Sequence, residues 1–215
     1  MNQVYFGTVR SYTDLGLMLT DVEISSPEPK RILADVPGMD GQLDLTFSLA
    51  KEVRFKNRKI TLTFVKANYR NEWQQIFSTI YNRVHGRMFQ VRIEPDLTRY
   101  WSAFCTVSKT KSNKKKGTFV IELDAYPYQY NVINTVYEVI AASIGKSQIC
   151  TNSRMPVQPQ FLATEACTVS FGEITHTLAA QTPEVFTDII FTEGSNEVIL
   201  AGSGTVTITY REGTL

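Results

Sequence analysis

The spacing of apolar residues predicts one helix in a chain otherwise made of short strands. From Asn71 to Gly86 the apolar side chains recur every three or four residues, as in a helix that buries one face. They are Trp73, Ile76, Phe77, Ile80, Tyr81 and Val84. Asn71 suits the N-cap, Gln74 can complete a capping box, and Gly86 suits the residue after the last turn. We therefore expect a helix over about residues 71–85, held against a sheet.

Strict alternation of apolar and polar residues predicts strands on both sides of this helix. Residues 43–49 and 60–65 alternate before it, and residues 89–93 alternate after it. If the strands before and after the helix share one sheet, their connection is expected to cross over in the right-handed sense. Residues 100–107 and 118–126 predict a further antiparallel hairpin.

The amino-acid composition of the chain changes near Thr135. Beyond it, short apolar strands and turn residues recur at intervals of about 8–12 residues, which is typical of a β-sandwich. Residues 1–134 hold 19 Lys and Arg against 13 Asp and Glu, a net charge of +6. Residues 135–215 hold 3 against 8, a net charge of −5. We therefore predict a mainly β protein of two domains, residues 1–133 and 134–215.

The composition of the chain limits the classes of protein to which it can belong. An apolar fraction of 43% in 215 residues is that of a folded globular protein. No apolar run approaches the roughly 20 residues of a membrane-spanning helix, so no membrane insertion is expected. The first residues show no basic segment followed by an apolar block, so no signal peptide is expected. Cys105, Cys150 and Cys167 are widely spaced among apolar neighbours, which favours buried thiols over disulfides.

The residue patterns of known catalytic and metal sites are missing from the sequence. His85 and His176 have no partner at metal-ligand spacing, and no CxxC or HExxH motif occurs. Residues 145–147 resemble the end of a phosphate-binding loop, but Ile140 stands where its first glycine would be. Asp40 and Asp44 are carboxylates near a turn, and we interpret them as turn and strand-edge residues. We predict neither an enzyme nor a bound metal or cofactor.

Five lysines mark the polar tip of the predicted hairpin: Lys109, Lys111, Lys114, Lys115 and Lys116. A solvated hairpin end is the favoured interpretation, and contact with an acidic protein surface is the main alternative. Contact with phosphate is also open on charge alone. No aromatic residue is interleaved with the lysines, so stacking on single-stranded nucleic acid is not indicated.

A set of short strings, taken in order, resembles a known family. In the first domain they are Tyr5-Phe6-Gly7, Leu15-Gly16-Leu17, Val36 to Thr46, Phe55 to Arg58 and Pro127 to Tyr130. In the second domain they are Met155-Pro156, Pro159-Gln160-Phe161 and the closing run Gly202 to Leu215. Together they resemble the distal tail (Dit) proteins of long-tailed, non-contractile phages of Gram-positive bacteria.

The resemblance implies an N-terminal β-sandwich-like domain with one helix and a C-terminal galectin-like β-sandwich. It also implies a structural role at the virion tail tip, with synthesis in the host cytoplasm. In the family, N-terminal domains form a hexameric ring between the tail tube and the tail-associated lysin or fibre hub, and DNA passes through its lumen. C-terminal domains project outward and in many phages hold receptor-binding or baseplate proteins. No catalytic residue is carried over.

A ring needs one patch of the chain to meet a different patch on the next copy. The candidates are the proline-flanked segment 25–31, with Pro27 and Pro29, and the turn 37–41, with Pro37, Gly38 and Asp40. The alternative for both is an ordinary surface loop of one monomer.

Two other functions remain as alternatives. The C-terminal sandwich is also compatible with a carbohydrate-binding module acting in adhesion to the host surface. That function needs exposed aromatic residues, and the pattern places Phe161, Phe171, Phe186, Phe191 and Tyr210 mostly as core residues. A hydrolase would need a clustered nucleophile or carboxylate pair, which the sequence does not display.

Overall fold

Alternating inward and outward side chains build one large antiparallel sheet in the first half of the chain. The structure, a computed structural model, describes residues 3–50, 53–67, 73–112 and 116–215. The chain divides into two units, Met1–Pro127 and Tyr128–Leu215, and each has its own hydrophobic core. The unit boundary lies slightly before the domain boundary predicted after residue 133.

The elements of the first unit, in chain order, are β1 (Val4–Phe6), β2 (Val9–Arg10), β3 (Met18–Ile24), β4 (Pro29–Lys30), β5 (Leu33–Ala34), β6 (Leu43–Asp44), α1 (Thr46–Ala50), β7 (Arg54–Phe55), β8 (Arg58–Ala67), α2 (Trp73–Val84), β9 (Arg87–Ile93), β10 (Asp96–Ser112) and β11 (Lys116–Ala125). The main sheet has the order β2-β1-β9-β10-β11-β8-β3, and each neighbouring pair is antiparallel. The predicted hairpin is confirmed as the long β10–β11 pair.

The predicted helix is confirmed as α2, and its buried face packs on this sheet. Its C-terminal end is fixed by two bonds to β10: Gly86 N donates to the Cys105 carbonyl at 2.8 Å, and Val107 N donates to His85 Nδ1 at 3.1 Å. Gly86 adopts φ +72°, the left-handed conformation expected after a helix. The predicted N-cap, Asn71, lies outside the described residues.

Two expectations for the first unit are wrong. Residues 43–49 do not form a half-buried strand, because β6 ends at Asp44 and α1 follows. The Asp44 side chain accepts a hydrogen bond from Thr46 N at 3.0 Å, and such local bonds compete with a strand ladder. The connection through α2 is not a right-handed parallel crossover either, because β8 and β9 run in opposite directions with β11 and β10 between them.

The second unit is the predicted β-sandwich. Its strands are β12 (Gln129–Asn131), β13 (Thr135–Ile140), β14 (Lys146–Asn152), β15 (Gln160–Ala163), β16 (Cys167–Phe171), β17 (Ile174–Leu178), β18 (Pro183–Val185), β19 (Gly194–Gly202), β20 (Thr205–Tyr210) and β21 (Gly213–Thr214). One sheet has the order β13-β20-β15-β18 and the other β14-β19-β16-β17. Inward side chains of both sheets, such as Phe161 and Val198, share one buried core. The chain is thus mainly β, as predicted, with α1 as an additional short helix.

Candidate subunit-interaction surface

A long excursion leaves the main sheet between β3 and β8, and we call residues 26–57 the arm. Two short ladders order it: β4 pairs with β7 near its root, and β5 pairs with β6 further out. At the root, Lys56 N donates to the Glu28 carbonyl at 2.8 Å, and the side chains of the same two residues form an ion pair at 3.0 Å. The described part of the arm therefore has a defined backbone course.

The outer part of the arm is held by a polar cluster around Asp44. Arg31 donates to the Asp44 carboxylate through Nε at 3.0 Å and Nη2 at 2.7 Å. Hydrogen bonds from Thr46 and from Arg31 lower the pKa of Asp44 to about 2. Ile32 N donates to Thr46 Oγ1 at 2.9 Å, which ties the link between β4 and β5 to the first residue of α1. This cluster fixes where α1 begins.

Large apolar side chains of the arm are exposed rather than packed. Phe47 is 70% exposed and Leu49 is 66% exposed, although both belong to the ordered helix α1. Further exposed apolar residues of the arm are Ile32, Leu33, Val36, Met39 and Leu43. Single exposed apolar side chains are ordinary, but a run of them on one ordered excursion is typical of a surface that another protein covers.

The predicted inter-subunit residues all lie on the arm. Pro27 is partly buried in the loop after β3, and Pro29 begins β4 opposite Phe55. Pro37, Gly38 and Asp40 form the exposed tip, where Met39 N donates to the Val36 carbonyl at 3.1 Å and closes a turn. Gly38 has φ +84°, a conformation that glycine adopts without strain. The structure thus brings these residues onto one excursion, and their contact with another copy stays a prediction.

Sequence reasoning missed Phe47 and Leu49 as surface residues of the arm. Their alternation with polar residues predicted a half-buried strand, as described above. The available signal was Asp44 two residues before Thr46, because both residue types favour local hydrogen bonds at the start of a helix.

The basic hairpin tip is described only in part. Lys109 and Lys111 are exposed at the end of β10, and Lys116 is exposed at the start of β11. Lys114 and Lys115 lie outside the described residues. The ladder is irregular between Val107 and Lys109. The structure does not gather the described lysines into a pocket.

The two histidines lie in different units, and the side chain of each one contacts residues of its own unit. His85 accepts the hydrogen bond from β10 described above, whereas His176 Nε2 lies 2.8 Å from Asp188 Oδ2 and its ring stacks on Phe186. Within the described ranges, no three His, Cys, Asp or Glu side chains come together as a metal-binding group. The cysteines are free and buried, as predicted.

The aromatic residues that the carbohydrate alternative would use are mainly internal. Phe161, Phe191 and Tyr210 are buried in the sandwich core, and Phe171 and Phe186 pack against it while partly buried. This placement does not supply an exposed aromatic platform from these five residues.

No helix in the described part of the chain is both long and apolar enough to cross a membrane.

Comparison with known proteins gives a match in fold but not in sequence. No protein-family model matches the chain, and no curated protein sequence matches it significantly. Among solved structures, it matches the SPP1 Dit (gp 19.1) protein, which is described as a paradigm of the hub adsorption apparatus in phages that infect Gram-positive bacteria. The match covers 100% of both chains with a TM-score of 0.69 and 10% sequence identity. The chain therefore has the fold of the SPP1 Dit protein over its whole length.

Proposed function

We propose that this protein is a structural component of a phage tail, a Dit-like hub at the virion tail tip. The observation that carries the proposal is the full-length match in fold to SPP1 Dit. In this role six copies form a ring that joins the tail tube to the tail-tip hub, made by a tail-associated lysin or fibre protein. DNA crosses the ring through its lumen, and no catalysis is involved.

The arm supports assembly of this kind. Its described part is ordered by two ladders and by the Asp44 cluster, yet Phe47 and Leu49 are exposed in the single chain. Covering these side chains with another copy would remove apolar surface from water, at roughly 25 cal/mol for each square ångström buried. Two different patches meeting at each contact would generate a ring when the rotation closes.

The second unit is suited to an outward role in the same proposal. It has its own core, and its net charge of −5 (3 Lys and Arg against 8 Asp and Glu in residues 128–215) differs from the +6 of the first unit. It would anchor receptor-binding or baseplate proteins around the ring. The described lysines of the hairpin tip, Lys109, Lys111 and Lys116, are candidates for contact with an acidic partner surface.

The first experiment is to measure the solution mass by light scattering over a range of protein concentrations, with negative-stain images of any large species. The expected species has six times the chain mass of 24.3 kDa and appears as a ring with a central hole. Where the isolated chain is monomeric, the measurement is repeated with the tail tube protein added. Absence of a ring under both conditions would contradict the proposal, as would a stable dimer that binds sugars tightly.

A further inference from the structure

The second unit contains a cleft where two strands of one sheet stop pairing with each other. The pairing of β16 with β19 ends at Ser170 opposite Ile199, whereas β19 continues beside β14 as far as Gly194. A cavity of about 680 Å³, which we call the β19 cleft, is lined by residues of both strands. The β16–β17 hairpin contributes Phe171, Glu173 and Ile174, and β19 contributes Ser195, Glu197 and Ile199.

Part of β19 has a free edge beside this cleft. Residues 194–198 pair with β14 on one side, and no other described strand pairs with them on the other side. The backbone N–H and C=O groups of alternate residues point to opposite edges of a strand, so a free edge presents unpaired donors and acceptors. This edge is about 17 Å long at the rise of an antiparallel strand. It therefore offers main-chain hydrogen bonds that an extended segment can complete.

The walls of the β19 cleft are held by local hydrogen bonds. Asn196 is only 4% exposed; its Oδ1 accepts from Thr192 N at 2.9 Å, and its Nδ2 donates to the Thr192 carbonyl at 2.9 Å. Asn152 Nδ2 donates to the Phe191 carbonyl at 3.2 Å, which fixes the same turn from β14. On the opposite wall, the hydroxyl groups of Ser170 and Thr175 are hydrogen-bonded at 2.8 Å. The cleft is thus pre-organised, which reduces the entropy lost when a partner binds.

The lining of the cleft indicates which kind of segment it accepts. Among the described residues that line it, Glu173 and Glu197 carry the only charges, and both are exposed. Ser147 Oγ donates to Glu197 Oε1 at 2.6 Å, which orients this carboxylate. Phe171 and Ile174 pack against the sandwich core while only partly buried, so they supply apolar surface. A segment that carries both basic and apolar side chains is complementary to this lining.

We propose that the β19 cleft binds an extended, basic segment of another tail protein, which joins the sheet as a strand beside β19. The inference rests on the proposed tail function and names the contact by which the second unit would hold a receptor-binding or baseplate protein. The segment takes the place next to β19 that β16 leaves. Its alternate side chains face opposite sides of the sheet, the basic ones toward Glu197 and the apolar ones toward Phe171 and Ile174. Main-chain hydrogen bonds supply affinity, and these side chains supply specificity.

Fluorescence anisotropy with the full-length chain tests this binding mode. The probe is a capped, fluorescein-labelled pentapeptide in which lysine and valine alternate. Saturable binding is expected for this peptide and none for the same peptide with glutamate in place of lysine. Absence of binding by the lysine peptide, or equal binding by the two, would overturn the proposal.

Two further peptides test whether the bound segment pairs as a strand. One carries N-methyl groups on all its lysines and the other on all its valines. Because alternate N–H groups of an extended peptide point to opposite edges, only one of these two peptides should lose binding. Binding of both methylated peptides, or of neither, would overturn the strand pairing.

Glu197→Lys tests the location of the site. This variant should weaken binding of the lysine peptide by about fivefold or more, because an attractive surface charge becomes a repulsive one. The matched control is Glu138→Lys, which reverses an exposed glutamate on β13 of the same unit and changes the net charge equally. The control should bind the peptide as the unmodified chain does, and circular dichroism checks that both variants are folded. Equal weakening in the two variants would indicate general charge attraction and overturn the site.

The contact and the proposed function fail separately in these experiments. A chain that forms the ring but does not bind the lysine peptide keeps the tail function and loses the β19 cleft as a docking site. A chain that binds the peptide as expected but forms no ring, even with the tube protein, keeps the cleft and loses the ring function. If Glu197→Lys changes the solution mass of the chain instead of its peptide binding, the occupant is another copy and the proposal falls.

Discussion

At the scale of single residues, Arg58 is a charged side chain that is buried in the first unit. It begins β8 with only 7% of its surface exposed, and its Nε and Nη2 atoms have no hydrogen-bond partner among the described residues. Burial alone lowers the pKa of its guanidinium group. A buried charged donor without an acceptor costs free energy, because the group loses water and gains nothing in return.

We therefore predict that Arg58→Met leaves the free energy of unfolding unchanged or raises it by about 1–3 kcal/mol, because the buried charge is removed while most of the side-chain length is kept. Denaturant unfolding of the single chain measures this, with Arg58→Lys as the control that keeps a charge. Arg58→Lys should be less stable than Arg58→Met. Marked destabilisation by methionine would mean that the guanidinium group has a bonded acceptor.

The three thiols provide a second prediction at this scale. Burial raises the pKa of Cys105 to about 12 and that of Cys150 to about 11, and it also raises the pKa of Cys167. The thiolate is the reactive form of cysteine. A chromogenic thiol reagent at pH 8 should therefore label none of the three cysteines in the folded protein and all of them after unfolding. Rapid labelling of one thiol without denaturant would contradict the buried placement.

At the scale of elements, α2 is attached to the sheet where a glycine makes room for it. The Trp73 ring packs against Gly117 on β11 and lies 5.1 Å, centroid to centroid, from Phe119. A Cβ at Gly117 would overlap this ring. The first turn of the helix therefore depends on the absence of a side chain on the strand beneath it.

Gly117→Ala should destabilise the protein by about 1–3 kcal/mol, because it overpacks the contact between α2 and the sheet. Thermal or denaturant unfolding measures the loss. Trp73→Phe, introduced in the same chain, should recover part of it by providing a smaller ring, and the double-mutant cycle gives the coupling between the two sites. Additive effects of the two substitutions would show that the ring and the glycine are not in contact.

At the scale of the whole molecule, each unit has its own core, and both tryptophans, Trp73 and Trp101, lie in the first unit. Tryptophan fluorescence therefore reports the unfolding of residues 1–127 only, whereas circular dichroism reports both units.

We predict that denaturant unfolding followed by these two probes gives different transitions, since units with separate cores are free to unfold separately. A chain of residues 128–215 alone should fold and should reproduce the transition that fluorescence does not detect. Coincident transitions in the full chain, together with an unfolded 128–215 fragment, would show that the second unit depends on the first.

The sequence by itself determined the elements whose patterns are strong and local. The period of apolar residues from Trp73 to Val84 defined α2, and alternation on both sides of a polar tip defined the β10–β11 hairpin. Regular turns in the second half predicted the sandwich. These features follow from the sequence because a helix or strand with one buried face must repeat its apolar residues at the period of that element.

Only the tertiary structure decided the order of strands and the exposure of the arm. The placement of β10 and β11 between β9 and β8 depends on pairing between residues far apart in the chain. The alternation of apolar and polar residues shows which face of a strand is buried, but it does not specify which strand pairs with which. Alternation at Leu43 to Leu49 was overridden by the hydrogen bonds of Asp44 and Thr46. An apolar pattern also indicates only that one face of a helix or strand is excluded from water. Whether this chain or another copy covers Phe47 and Leu49 is decided by what lies beside them in three dimensions.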